Sequence, residues 1–242
     1  MSPSPSPSAS PSAGVSASPS ASTSPPRGRA ATGDQRLLRG ARTRWTIARH
    51  GADVASAEGL SGLSIGRLAT DLGLSKSGVA TLFGTKEQLQ LAVVEAARKA
   101  YVDAVVRPAL AHASGAARLR ALVDGWFDYA EGPLFPGGCF WAANLPDFDS
   151  RPGPVRDALR GQRREWLTLL ADQIRRAVED AVVDDAAVDG GAAGRAGELD
   201  PELTAFHLDA VFAGTNTALR LGDPDALSRT RRIVDDLLAP VA

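Results

Sequence analysis

The chain of 242 residues is 44% hydrophobic but only 5% aromatic, and its formal net charge is −1 at pH 7. That length supports one or two domains with a real core, while the balanced charge excludes a globally basic nucleic-acid binder, so any cationic contact surface must be local. A single cysteine, Cys139, excludes an intramolecular disulfide framework and a multi-cysteine metal site, and the scattered His50, His112 and His207 form no ligand pair.

No apolar run nears the ~20 residues that span a bilayer, and no apolar h-region opens the chain. The expectation is a soluble cytoplasmic protein with no membrane partner, metal or cofactor. Ala and Leu are plentiful and strand-forming runs are absent, which predicts an all-α fold.

Residues 1–26 are almost entirely Ser, Pro and Ala. Such a stretch has no apolar side chains to offset the entropy of ordering, so a disordered tail is expected, set here at residues 1–38. Arg27, Arg29, Arg36, Arg39, Arg42, Arg44 and Arg49 follow in one basic stretch, whereas Glu179, Asp180, Asp184 and Asp185 gather acid later. That asymmetry fits either a local cationic surface or a solvated tail ahead of an acidic one.

Helical periodicity begins near Arg42, with Ile47, Gly51, Val54 and Ala55 on one face and Gly59 as the stop. Ser64 is an N-cap for a short helix whose Ile65, Leu68, Ala69 and Leu72 share a face. Gly73 ends it. Ser75 caps the next, with Val79, Leu82 and Phe83 inward, and Gly84 breaks it. Thr85 and Gln88 read as a capping box opening a helix through Leu89, Val93 and Ala96 to about Ala104.

Leu119, Leu122, Val123, Trp126, Phe127 and Ala130 form the next stripe. Pro133, Pro136, Gly137 and Gly138 mark a loop, and a short apolar element, Cys139 to Leu145, follows it. A long helix begins at Pro154 with Leu159, Trp166, Leu170, Ile174 and Val178 aligned. Residues 184–199 read as a flexible loop. Asp200-Pro201-Glu202 is a strong helix start, and Asp223-Pro224 repeats the signal for a last helix through Ile233, Val234 and Leu237.

Two short helices joined at Gly73-Leu74 make a helix-turn-helix over roughly Ser64 to Phe83. Its second helix keeps Val79, Leu82 and Phe83 inward and leaves Lys76, Ser77, Ala80 and Thr81 outward, where small polar groups can approach base edges. Lys86 opposes the macrodipole at the next helix start, a placement that suits a nearby phosphate. Lys76, Lys86 and Lys99 are the only lysines, and two of them bracket this helix. Spacing alone also fits a tight helical corner with ordinary surface polarity.

The run Ile47–Gly59 followed by LSIGRLATDLGLSKSGVATLFGTKEQLQLAV resembles the DNA-binding domain of the TetR family of bacterial transcriptional regulators. The resemblance covers about residues 42–95 and rests on Gly59, Leu63-Ser64-Ile65, Leu68-Ala69, Leu72-Gly73-Leu74-Ser75, Phe83, Lys86-Glu87 and Leu89. Ala80 stands where that family usually has a phosphate-contacting Tyr. The segment PGGCFWAANLPDFDSRPGPVRDAL is similar to one group of the family's C-terminal halves.

The resemblance implies three domains: the tail 1–38, a three-helix DNA-binding domain 39–95, and a helical effector-binding and dimerisation domain 96–242. It implies a homodimeric regulator, most often a repressor, on double-stranded operator DNA, with a small apolar effector. The last two helices, about 201–220 and 224–238, would pair with a second copy as a four-helix bundle. The alternative is a helix-turn-helix protein that binds DNA or a partner without any effector.

Candidate DNA-binding residues are Ser64, Ser75, Lys76, Ser77, Thr81 and Lys86. Candidate effector-pocket residues are Trp126, Phe127, Phe140, Trp141 and Trp166, although aromatics at helical spacing also serve as plain core. Cys139 reads as an inert buried thiol. Asp147 and Asp149 read as turn residues in a loop and not as a catalytic pair. No nucleophile with its base, metal cluster or phosphate loop is present, so no enzyme is expected.

Overall fold

The computed structural model describes residues 29–186 and 199–241. The expected tail up to residue 28 and most of the loop expected at 184–199 lie outside them. The chain divides into two units, Met1–Leu38 and Arg39–Ala242. The described part of the first is the opening turns of helix α1. All the core-forming elements belong to the second.

The described elements are helical, as composition predicts. They are α1 (Arg29–Glu58), a 3-10 turn (Leu60–Gly62), α2 (Ile65–Asp71), α3 (Lys76–Phe83) and α4 (Lys86–Tyr101). A π-helical stretch (Val102–Val106) and the short α5 (Arg107–Ala109) come next. Then follow α6 (Ala116–Glu131), α7 (Phe140–Phe148), α8 (Pro154–Ala186), α9 (Pro201–Arg220) and α10 (Ala226–Leu238).

Helix α1 starts well before Arg42. The described side chains ahead of Gly40, Gln35, Leu37, Leu38 and Arg39, are exposed, so none of them marks a buried face. From Ile47 onward the helix joins the core through Ile47, Ala52, Val54 and Ala55. Gly51 is part of the reason: a Cβ there would lie 2.6 Å from Val93 Cγ2, so only glycine lets α1 and α4 come this close.

Local capping chemistry sets the next three helices. Ser64 accepts from Arg67 N–H, Ser75 from Gly78 N–H and Thr85 from Gln88 N–H, each at 3.1 Å. Gly73 and Gly84 take φ of 65° and 72°, the left-handed region that stops a helix without a Cβ penalty. The expected capping box at Thr85 is only half formed, because the Thr85 N–H donates to the Phe83 carbonyl at 2.8 Å and is not free for Gln88.

Two further boundaries differ from the pattern. Asp147 lies inside α7 and pairs with Arg151 at 2.8 Å, so it is a helix residue and not a turn residue. Helix α10 begins at Ala226, two residues after Pro224, while Asp223 accepts from the Asp225 N–H at 3.0 Å. Asp200 caps α9 as read, accepting from Leu203 N–H at 2.9 Å. Helix α8 continues to Ala186, past the expected loop start.

One loop ties the halves of the second unit together. Gly137 N–H donates to Ser56 Oγ at 2.9 Å, and a Cβ on Gly137 would lie 2.0 Å from the Ser56 backbone. Gly138 then turns with φ of 79°, bringing the Cys139 N–H onto Asn216 Oδ1 at 2.7 Å. Phe140 N–H meets the Tyr129 hydroxyl at 2.9 Å. These two contacts satisfy the first donors of α7 and fix where it starts.

Candidate functional site

The helix-turn-helix is built as a hydrophobic wedge with a polar outer face. Val79 and Phe83 are buried, and Leu82 is partly buried. Arg44 on α1 holds the wedge: its guanidinium donates to the Leu82 carbonyl at 2.9 Å and lies 4.6 Å over the Phe83 ring. Helix α3 is thereby braced from behind. Lys76, Ser77, Gly78 and Thr81 are exposed, and Ala80 is partly buried.

Ser64 and Ser75 are exposed N-caps, so each hydroxyl already serves its own helix. Thr81 Oγ1 donates to the Ser77 carbonyl at 2.9 Å, which leaves its lone pairs outward. Lys86 is exposed at the start of α4, and its ammonium donates to the Ser61 carbonyl at 2.7 Å. That neutral acceptor explains how a cation is held at a helix N-terminus and leaves its charge uncompensated. Arg44 and Arg49, two members of the basic stretch, serve internal contacts; Arg49 pairs with Asp53 and donates to the Leu134 carbonyl at 2.8 Å.

A cavity of about 940 Å³ opens among α4, α6, α7, α8 and α9. Trp126, Trp141 and Trp166 line it, together with Tyr101, Phe148 and Phe212. Phe127 and Phe140 do not. Both are fully buried core: Phe127 packs edge-on to Trp126 and under Arg231, and Phe140 meets Phe135 and Trp141. A helical stripe marks residues that face inward but does not separate those meeting a cavity from those meeting other helices.

Tyr101 is the hub of the aromatic wall. Its ring is 5.1 Å from Trp141 and 5.6 Å from Trp166, both edge-on, while Trp126 stacks on Phe212 at 3.9 Å. Trp141 Nε1 donates to Gln162 at 3.0 Å, which fixes its rotamer. Burial pushes the Tyr101 hydroxyl and the Cys139 thiol up, so neither ionises at neutral pH. Charge comes from Arg98, Arg156, Arg160, Arg163, Asp149, Glu165 and Asp209. Among the described residues, no His, Cys, Asp and Glu side chains gather into a metal site.

Helix α7 joins this cavity to the base of the helix-turn-helix. Asn144 on α7 is fully buried; it accepts from Leu60 N–H at 2.6 Å and donates to the Ala55 carbonyl at 3.1 Å. Gln90 on α4 donates to the Leu60 carbonyl at 2.9 Å. Ser61, next in line, donates to Asp147 on α7 and offers its carbonyl to Lys86. Sequence patterning did not single out Asn144, Gln90 or Ser61, because each acts across a long sequence separation.

Residues 115–234 match the family model described as the tetracyclin repressor-like, C-terminal domain. The chain belongs to the TetR family. Solved structures of the family have the same fold: a TetR transcriptional regulator from Chloroflexus aurantiacus J-10-FL has a TM-score of 0.70 at 21% identity, covering 84% of this chain and 96% of that one. A TetR-family regulator from Cytophaga hutchinsonii gives 0.69 at 20% identity with the same coverage. AibR, solved with isovaleryl coenzyme A and operator DNA, gives 0.56 at 16% identity over 80% of this chain and 97% of that one. No curated protein matches the chain. Among the described residues of this TetR-family member, no helix is long and apolar enough to cross a membrane.

Proposed function

We propose that this TetR-family chain is a homodimeric, sequence-specific DNA-binding repressor of transcription, working in the cytoplasm and released by a small ligand held in the cavity. The observation that carries the reading is the outer face of α3. Lys76, Ser77 and Thr81 are exposed on a helix whose other side is locked by Val79, Phe83 and Arg44. An α-helix with its side chains is about 10–12 Å across, a fit for a major groove about 12 Å wide, and the small residues of α3 keep it slim. Ser77 and Thr81 would meet base edges, while Lys76, Lys86 and the cap-bearing turns at Ser64 and Ser75 would meet phosphates. Ala80 offers only a methyl group, suited to an apolar contact.

The domains in this reading are the tail 1–38, the DNA reader 39–95 and the ligand and dimer half 96–242. Dimerisation is supported by the exposed Leu203 and Phe206 on α9; Ala210, Ala213 and Thr217 continue that line but also border the cavity. Helix α10 lends less support, since its outward Arg229, Arg231, Arg232, Asp235 and Asp236 leave Ile233 as the one large exposed apolar side chain. Pairing across α9 would set two α3 helices at half-sites about 34–36 Å apart, or a multiple of that.

Control follows from two elements with a role at each end. Helix α4 starts at Lys86 beside the DNA reader and ends at Arg98 and Tyr101 in the cavity wall. Helix α7 carries Trp141 and Leu145 in that wall and Asn144 at the Leu60 turn. A ligand that displaces α7 moves the Leu60–Gly62 turn, and Ser61 passes the movement to Lys86. The ligand must prefer one state, because equal affinity for both shifts nothing.

The test is an anisotropy titration of the full chain with the duplex upstream of its own gene. Saturable binding that survives excess random duplex is expected, and binding equal to that for random duplex would refute the reading.

A further inference from the structure

The cavity wall is aromatic through most of its extent and cationic along one strip of α8. Arg156, Arg160 and Arg163 stand at i, i+4 and i+7 on that helix and all line the cavity, with Leu159 and Trp166 between and beyond them. Arg98 faces them from α4.

Two of these four arginines are neutralised within the wall itself. Arg98 pairs with Glu165 at 2.9 Å, and Arg163 pairs with Asp209 at 2.7 Å. The other two are not. Among the described residues Arg160 has no ion pair. Arg156 touches only its neighbour Asp157, at 3.3 Å, and its Nε is buried with no acceptor. Asp149, at the end of α7, is the single lining carboxylate outside an ion pair, so the wall keeps a net positive charge.

A buried N–H without an acceptor costs free energy that a ligand oxygen would recover. Guanidinium groups present paired, coplanar donors that match a carboxylate. Beside them Trp126 stacks on Phe212, and Tyr101, Trp141 and Trp166 offer ring edges. At about 940 Å³ the space lies within the range of small-molecule pockets, roughly 300–1,000 Å³.

We propose that the cavity takes an amphipathic organic anion, with an aromatic or branched apolar body against the tryptophans and a carboxylate at Arg156 and Arg160. This narrows the expected small apolar effector to an acid, and it rests on the cavity being the ligand site of the proposed regulator.

The test uses two probes of the same size and shape, anionic 1-naphthaleneacetate and neutral 1-naphthaleneacetamide, titrated calorimetrically into the full chain at neutral pH. The acetate should bind at least about tenfold tighter than the amide, the advantage of a charge-assisted pair over a neutral one. Arg156→Gln and Arg160→Gln should each erase most of that advantage and leave the affinity for the amide unchanged, with an unaltered circular dichroism spectrum and Tm. Both side chains are partly or fully exposed, so folding should tolerate the change. Equal affinity for acid and amide would overturn the anionic head and leave the cavity standing as a ligand site. An acid preference that survives both substitutions would overturn the assignment to these arginines. Binding of neither probe would overturn the proposal and the ligand reading together.

Discussion

The outer face of α3 and the joint behind the cavity use polar groups in opposite ways. On α3, Lys76, Ser77 and Thr81 stand in solvent and cost nothing to keep there. At the joint, Asn144 is wholly buried and spends its amide on Leu60, Ala55 and the Phe140 carbonyl. Buried polar groups are tolerated only when matched, and once matched they hold one arrangement. The contrast teaches where each property resides. In the proposed regulator, recognition would sit on side chains that can be exchanged without touching the fold, whereas communication would run through buried contacts that also hold the fold together.

Substitutions can therefore break the two regions separately. The largest effect is expected at Gly137. A Cβ there meets the Ser56 backbone at 2.0 Å, so Gly137→Ala must push the loop off α1. A loss at the upper end of the ~1–3 kcal/mol typical of overpacking is expected in urea titrations. No loss would show that the loop is not seated on α1.

Asn144→Leu should come next. It orphans the Leu60 N–H, at about 1–3 kcal/mol. In chains that still fold, it should weaken the reciprocal coupling between ligand and DNA, which for an ordinary switch is about 1–3 kcal/mol. Unchanged coupling with reduced stability would confine Asn144 to a structural role.

Lys86→Ala sharpens the other side. It should weaken specific and non-specific duplex binding together and lower the salt slope by about 0.9 per subunit, the share of one phosphate. An unaltered slope would mean that Lys86 serves only the Ser61 carbonyl. Smallest of all is Gly161→Ala in mid-α8, where a Cβ meets nothing within 4 Å. It should raise stability by about 0.5–1 kcal/mol and leave both binding functions alone. A fall in Tm would show that Gly161 is under a constraint that the α8 surface does not reveal.

The same contrast explains what could be read in advance. Ser64, Ser75 and Thr85 were legible because an N-cap closes its hydrogen bond three residues away. The start of α1 ahead of Arg42 was not, since Gln35, Leu37 and Leu38 are exposed and mark no buried face. In the cavity, Trp126, Trp141 and Trp166 share their stripes with Phe127 and Phe140, and only packing separates wall from core. Arg156, Arg160 and Asp209 carry no local pattern that distinguishes them from other charged residues on amphipathic helices. Asn144 has no local signal for its role, because Leu60 and Ala55, which it bonds across the joint, lie more than eighty positions upstream.

The central claim, that α3 reads duplex DNA, is tested most directly by selecting binders for the full chain from random-sequence duplexes. Enrichment of an inverted repeat is predicted, with half-sites about one helical turn or a multiple apart. The Ser77→Ala and Thr81→Ala chains should each relax the preference at defined positions by about 1–3 kcal/mol. Selection that enriches no sequence, or that returns the same repeat with the same preferences from both variants, would contradict it.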